Sequence, residues 1–224
     1  MMDALKKYST TFYYLGGLYL LVCTLLRILL LSDPKVHTGL HFLDYCQILL
    51  IGLIPNVLIF FLAGLPLWLY LLALSDKKLN KPYGWILISA LGLLLILLLF
   101  SSNPVKAYGS VLLEIVAIFI SLKLVLNTLL FCFPGKRRLI RHWTYSITLF
   151  IYTTAILLNA LSEYFFFKEF GVRYNFIAVD YLIYTNEVIG NIMESYPIIP
   201  IFSVLGLVSF ALSWWIARKT KGYF

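Results

Sequence analysis

The uncharged run CQILLIGLIPNVLIFFLAGLPLWLYLLAL occupies residues 46–74 and decides the class of the protein. It is longer than the roughly 20 residues that an α-helix needs to cross the core of a bilayer. Within it, Pro55 and Pro66 predict a kink or a break. Five more apolar windows lie at residues 11–31, 84–100, 108–133, 143–161 and 198–216. The sequence therefore predicts an all-α, polytopic membrane helix bundle with about six transmembrane helices.

The overall composition supports this class. The chain is 62% hydrophobic and 12% charged, with a mean hydropathy of +0.91, which is outside the range of soluble domains. The six windows use most of the chain, so we expect residues 1–224 to form one transmembrane domain without a soluble catalytic domain. The three cysteines, Cys23, Cys46 and Cys132, are too far apart for a metal motif or a disulfide framework.

The basic residues divide unequally between the two sets of helix ends. Twelve share one set: Lys6, Lys7, Lys77, Lys78, Lys81, Lys136, Arg137, Arg138, Arg141, Arg218, Lys219 and Lys221. The opposite set carries four: Lys35, Lys106, Lys168 and Arg173. Because cytoplasmic loops carry the excess of Lys and Arg, both termini are predicted to be cytoplasmic and residues 163–197 to lie outside. The net charge of +8 then has a membrane explanation, and no nucleic acid partner is predicted.

Tyrosines and tryptophans flank the apolar windows. They resemble the aromatic belt that sits at the headgroups on both sides of a bilayer. We expect these residues to be interfacial anchors without a further role: Tyr8, Tyr13, Tyr14, Tyr83, Trp85, Tyr108, Trp143, Tyr145, Trp214 and Trp215.

Three charged residues fall inside the apolar windows: Arg27, Glu114 and Lys123. Charge is costly in lipid, so each one predicts either an internal partner or a functional role. Arg27 and Glu114 lie at similar depths below the outer ends of their helices, which predicts an ion pair between them. The alternative role for Arg27 is binding of a lipid headgroup. Glu114 and Lys123 are nine residues apart and so lie on opposite faces of one helix.

The first outer connection holds His37, His41 and Asp44. If it is helical, the three side chains share a face and could hold a divalent metal. Gly39 interrupts this spacing, and the pattern is common in sequences. We therefore favour an ordinary interfacial loop over a metal site.

A polar stretch, here called the outer segment, occupies residues 163–197. It contains half of the ten acidic residues of the chain. Its polar residues recur with a helical period, while apolar residues fall on another face, so an interfacial amphipathic helix is predicted. The candidates for contact with a lipid headgroup or a docked domain are Arg173, Tyr174, Asn175, Asp180, Tyr184, Glu187 and Asn191.

Most of the outer segment has the sequence FGVRYNFIAVDYLIYTNEVIGNIMESYP, residues 170–197. This sequence resembles the outer-loop signature of the lipoteichoic acid synthase-like family. These are bacterial membrane proteins of the alkaline phosphatase and sulfatase superfamily, and include phosphoglycerol and phosphoethanolamine transferases. The resemblance implies a multi-pass protein of the bacterial cytoplasmic (inner) membrane that works with membrane phospholipid. It also implies an extracytoplasmic catalytic domain with a Thr nucleophile on Mn or Zn.

No such domain lies within these 224 residues, so no catalytic, cofactor or metal residue is carried over from the family. The charge rule places the last residues in the cytoplasm, and one more span would be needed to carry a catalytic domain outside. We therefore expect a truncated, split or partial form that is catalytically silent alone. Its expected role is to anchor and orient a catalytic domain, in cis or as a separate chain.

The alternative function is a stand-alone integral membrane scaffold or small transporter. A transporter would need a polar path through the helices. The residues available for such a path are Arg27, Glu114, Lys123, Asn127 and Asn159.

Overall fold

The computed structural model describes residues 2–33, 36, 41–72, 79–100, 110–174 and 196–220. Helices account for nearly all of this part of the chain, and no strand occurs in it. The described residues form six α-helices: α1 (Met2–Leu31), α2 (Phe42–Leu72), α3 (Tyr83–Phe100), α4 (Ser110–Cys132), α5 (Arg137–Phe170) and α6 (Ile198–Lys219). A 3₁₀ turn at Pro134–Lys136 joins α4 to α5. The predicted all-α class is confirmed.

Each of the six helices is long and apolar enough to cross a membrane. Large apolar side chains are exposed along their surfaces, including Leu62 of α2, Leu93 of α3 and Leu207 of α6. Apolar faces of this extent are costly in water and favourable in lipid. The protein is therefore a multi-pass membrane protein.

Two helices reach well beyond their predicted spans. Helix α1 begins at Met2, although the apolar window starts at residue 11. Helix α5 has 34 residues, which corresponds to about 51 Å at 1.5 Å per residue and exceeds the roughly 30 Å of a bilayer core. Hydropathy locates the lipid-embedded part of a helix and misses its polar ends. As a result, Glu163 belongs to helix α5, although the sequence placed it in a loop.

The chain divides into two compact units. Unit 1 comprises Met1–Leu71 and Tyr145–Tyr223. In it, α1 and α2 pack through aromatic rings, with the Phe12 and Phe60 centroids 4.6 Å apart. Helices α5 and α6 meet at small polar residues, since the Thr153 hydroxyl lies 3.3 Å from the Ser209 carbonyl oxygen. Small residues allow close approach of helix backbones in membranes.

Unit 2 is built on Leu72–Thr144. Helices α3 and α4 pack together, and the Trp85 and Phe131 rings meet edge to face at 5.2 Å. Arg137 joins the end of α4 to the residues that precede α3. Its Nε donates to the Leu130 carbonyl at 2.7 Å, and its two terminal nitrogens donate to Asn80 Oδ1 and the Leu79 carbonyl, both at 3.1 Å. From the sequence, this arginine served only to predict which helix ends are cytoplasmic. In the structure it caps the last turn of α4.

Helix α2 runs unbroken from Phe42 to Leu72 through Pro55 and Pro66. The break that the prolines allowed is therefore absent. A proline in a helix cannot donate a hydrogen bond to the carbonyl four residues earlier. For Pro55 this is the carbonyl of Ile51. In the two turns before Pro55, the neighbouring carbonyls of Ile48, Leu49 and Gly52 receive hydrogen bonds from Arg27 of α1.

Candidate functional site

The first residues of the outer segment form the last turns of helix α5, which ends at Phe170. The chain then leaves the helix through a sharp reversal at Gly171. This residue has a φ of 70°, which is in the left-handed region that glycine adopts at little cost. Its N–H donates to the Phe167 carbonyl at 2.8 Å, the pattern of a helix that ends in a left-handed C-terminal cap. The reversal turns the chain back along α5, so that Arg173 points toward the helix it has just left.

Arg173 and Glu163 form an ion pair at this reversal. The Arg173 Nε donates to Glu163 Oε1 at 2.6 Å, and ten residues separate the two in sequence. The Glu163 side chain is only 7% exposed, whereas that of Arg173 is 41% exposed. Leaving a buried charge without its partner typically costs about 3–5 kcal/mol. Arg173 therefore offsets the burial of Glu163 while part of the arginine side chain stays accessible.

Aromatic contacts hold both flanks of residues 175–195 against α5. The Tyr174 ring lies 5.3 Å from that of Phe166, and the Tyr196 ring lies 4.5 Å from that of Phe165. Since Phe165 and Phe166 are adjacent, the chain enters and leaves this stretch at neighbouring positions. Burial raises the pKa of the Tyr174 phenol, while a hydrogen bond with Ser162 acts in the opposite direction.

A second ion pair joins helix α5 to the end of α1. Lys168 Nζ binds Asp33 Oδ2, and the exposures repeat the pattern of the first pair. The carboxylate is 6% exposed and the ammonium 43% exposed. Beside it, Leu26 and Leu30 of α1 pack against Phe167 of α5. We call the region formed by Asp33, Glu163, Lys168 and Arg173 the charged end of unit 1.

Arg27 lies in the same unit and is 4% exposed. The sequence predicted either a carboxylate partner or a headgroup for it. Its strongest hydrogen bond runs from Nη2 to the Gly52 carbonyl at 2.9 Å, and a methyl group at residue 52 would overlap the guanidinium. The carbonyls of α2 thus satisfy this arginine within its own unit. The predicted pair with Glu114 would join the two units and stays a prediction.

The other polar residues considered for a transport path lie on helices α4 and α5. Lys123 is half-buried, with its Nζ 5.5 Å from the centre of the Phe119 ring. Asn127 donates to the Lys123 carbonyl of its own helix at 2.8 Å. Glu114 and Asn159 are exposed. None of these contacts joins the polar residues into a path across the described part of the chain.

The opposite end of unit 1 is closed by three hydroxyl groups. The Tyr145 hydroxyl lies 2.8 Å from Thr11 Oγ1 and 2.7 Å from Thr220 Oγ1. All three residues are almost completely buried. The chain of hydroxyls joins α1, α5 and the end of α6, and we call it the hydroxyl end. The prediction that Tyr145 is an interfacial anchor is wrong, because the ring is inside the protein.

The possible metal site in the first connection gains no support from Asp44. Its Oδ2 accepts the backbone N–H of His41 at 2.8 Å, as in a capping box at the start of helix α2. His37 lies outside the described residues. Within the described ranges, no group of three His, Cys, Asp or Glu side chains is placed to hold a metal.

The structure places only part of the predicted docking surface. Arg173 and Tyr174 lie at the charged end, whereas Asn175, Asp180, Tyr184, Glu187 and Asn191 are not among the residues that the structure describes. The interfacial helix predicted there stays a prediction. Asp33, Glu163 and Lys168 were not predicted as ion-pair partners. The glycine at position 171 was a sequence signal that the chain reverses after α5 and that Arg173 returns toward this helix.

Comparison with known proteins does not add to these observations. The chain matches no protein-family profile, no curated protein and no solved structure.

Proposed function

We propose that this chain is the membrane region of a lipoteichoic acid synthase-like transferase or sulfatase. In this role it anchors and orients an extracytoplasmic catalytic domain and presents phospholipid along the outer segment. The chain alone is catalytically silent. The observation that carries the proposal is the wording of residues 170–197, a polar stretch whose two flanks are both held on helix α5.

The geometry of the charged end supports a docking role. A surface that positions another domain must itself be fixed, and preorganised contacts reduce the entropy lost on binding. Here a helix cap, an ion pair with a buried carboxylate and two aromatic contacts fix Arg173, Tyr174 and Tyr196 on helix α5. These contacts support a role in positioning a docked domain.

The half-exposed cations support the phospholipid part of the proposal. Arg173 and Lys168 each face a buried carboxylate on one side and remain over two-fifths exposed. Cations oriented in this way can still donate hydrogen bonds to phosphate oxygens. They lie at the ends of apolar helices, where lipid headgroups meet protein.

The second candidate is a stand-alone membrane scaffold or small transporter, which fits the same six helices. The two candidates differ in what meets the outer segment. A transferase membrane region contacts a folded catalytic domain of the alkaline phosphatase type, whereas a scaffold contacts other proteins and a transporter contacts only lipid and solute.

Site-specific photo-crosslinking in cells separates these candidates. A photoreactive amino acid at Tyr184 or Asn191 should give an adduct with an alkaline phosphatase-like domain, identified by mass spectrometry. The same probe at Tyr13, an exposed position on α1, is the matched control and should react with lipid. Adducts from Tyr184 and Asn191 with lipid alone, or with unrelated proteins, would contradict the proposal.

The purified chain provides a second test. In vesicles that contain phosphatidylglycerol or phosphatidylethanolamine with added Mn or Zn, we expect no release of head group. Metal-dependent turnover by the chain alone would refute the proposed catalytic silence.

A further inference from the structure

The ion pair between Glu163 and Arg173 connects two parts of the molecule with different burial. Glu163 is inside unit 1, on helix α5, and Arg173 follows the reversal at Gly171. Arg173 is also the last charged residue before residues 175–195. Release of the chain from α5 at Arg173 would therefore break the ion pair with Glu163.

Arg27 adds a second positive charge to this part of the unit. It interacts electrostatically with both Glu163 and Arg173, while its hydrogen bonds go to neutral carbonyls of α2. Glu163 thus pairs directly with Arg173 and adds a weaker attraction for Arg27. Without the Glu163 charge, Arg173 would lose its ion-pair partner, while the repulsion between Arg173 and Arg27 would remain.

We propose that Glu163 is the positioning residue of the outer segment: through Arg173 it fixes where the segment leaves the bundle. The Asp33–Lys168 pair has a separate task, because it joins α1 to α5 and lies before the reversal. The consequence for docking rests on the proposed function, whereas the positioning itself is a property of this chain. Neutralising Glu163 should release the start of the segment while the helices stay packed.

Limited proteolysis with trypsin measures the release of Arg173 from Glu163 directly. Trypsin cleaves after Arg173 only when the arginine side chain enters the protease, which requires it to leave Glu163. Cleavage then follows the population of the open form. In the full chain reconstituted in vesicles, E163Q should be cleaved between Arg173 and Tyr174 at least about tenfold faster than the wild type. Fragment masses identify the bond.

Two variants serve as matched controls. E169Q neutralises an exposed carboxylate on the same helix, and D33N breaks the other ion pair of the charged end. Both should leave cleavage at Arg173 within about twofold of the wild type. Thermal unfolding measured in parallel separates local release from loss of the fold.

Three results would overturn the proposal: an E163Q rate within about twofold of the wild type, equal acceleration in E169Q, or equal acceleration in D33N. If E163Q does not fold, E163D keeps the charge and shortens the side chain. It should then give an intermediate acceleration, and an unchanged rate would count against the proposal. Faster cleavage in E163Q together with no crosslink from Tyr184 would support the positioning role and contradict the proposed docking.

Discussion

The two ends of unit 1 use different chemistry for the same structural task. At the hydroxyl end, Thr11, Tyr145 and Thr220 join three helices through neutral groups that are sealed from solvent. At the charged end, buried carboxylates hold cations that remain half-exposed. Neutral hydrogen bonds avoid the desolvation cost of ions. The use of charges at the second end therefore fits the proposed contact with a polar partner or with lipid headgroups.

Breaking the charged end at Arg173 should have the largest effect on stability. R173Q leaves the Glu163 carboxylate, which is only 7% exposed, without its partner, at an expected cost of about 3–5 kcal/mol. Thermal unfolding in detergent measures the loss. The double variant E163Q/R173Q should lose less than R173Q alone, because the buried charge is then removed as well. A double variant that is less stable than R173Q would contradict the importance of charge balance at this end.

Breaking the hydroxyl end should have a smaller effect. Y145F removes the hydroxyl that contacts both threonines while keeping the buried ring, so we expect a loss of about 1–3 kcal/mol. Trypsin cleavage at Arg173 should not change, since the two ends are at opposite ends of helix α5. Tyr13 is exposed, and Y13F should be neutral within about 0.5 kcal/mol. Equal losses from Y145F and Y13F would show that the hydroxyl chain contributes nothing.

The reversal at Gly171 should show the smallest of the three effects. An alanine there must adopt a φ of 70°, which costs about 1–2 kcal/mol. The strain acts at the start of the outer segment, so G171A should also raise tryptic cleavage at Arg173. Gly206, in helix α6, has open space around it, and G206A should be neutral or slightly stabilising. Increased stability of G171A would argue against the left-handed cap.

Much of this architecture was predictable from the sequence. Runs such as residues 46–74 predicted six membrane helices because bilayer thickness sets a minimum apolar length. Hydropathy could not predict that α5 continues to Phe170, since polar residues at a helix end are equally compatible with a loop. The partners of Arg27 were also missed, because backbone carbonyls are not visible in a search for complementary charges.

The charged end shows the same limit. Lys168 and Asp33 are far apart in sequence, and only the packing of α1 against α5 brings them together. Tyr145 was assigned to the aromatic belt because its position beside an apolar run fits that pattern, and its burial depends on where α6 ends. Tertiary contacts between distant residues decided each of these cases.

The proposed function requires that the charged end faces the outside of the cell and the hydroxyl end the cytoplasm. In a cysteine-free background, V172C and G135C place single thiols at exposed positions that flank opposite ends of helix α5. A membrane-impermeant maleimide applied to intact spheroplasts should label V172C and should label G135C only after lysis. Labelling of G135C in intact spheroplasts, with V172C protected until lysis, would contradict the account.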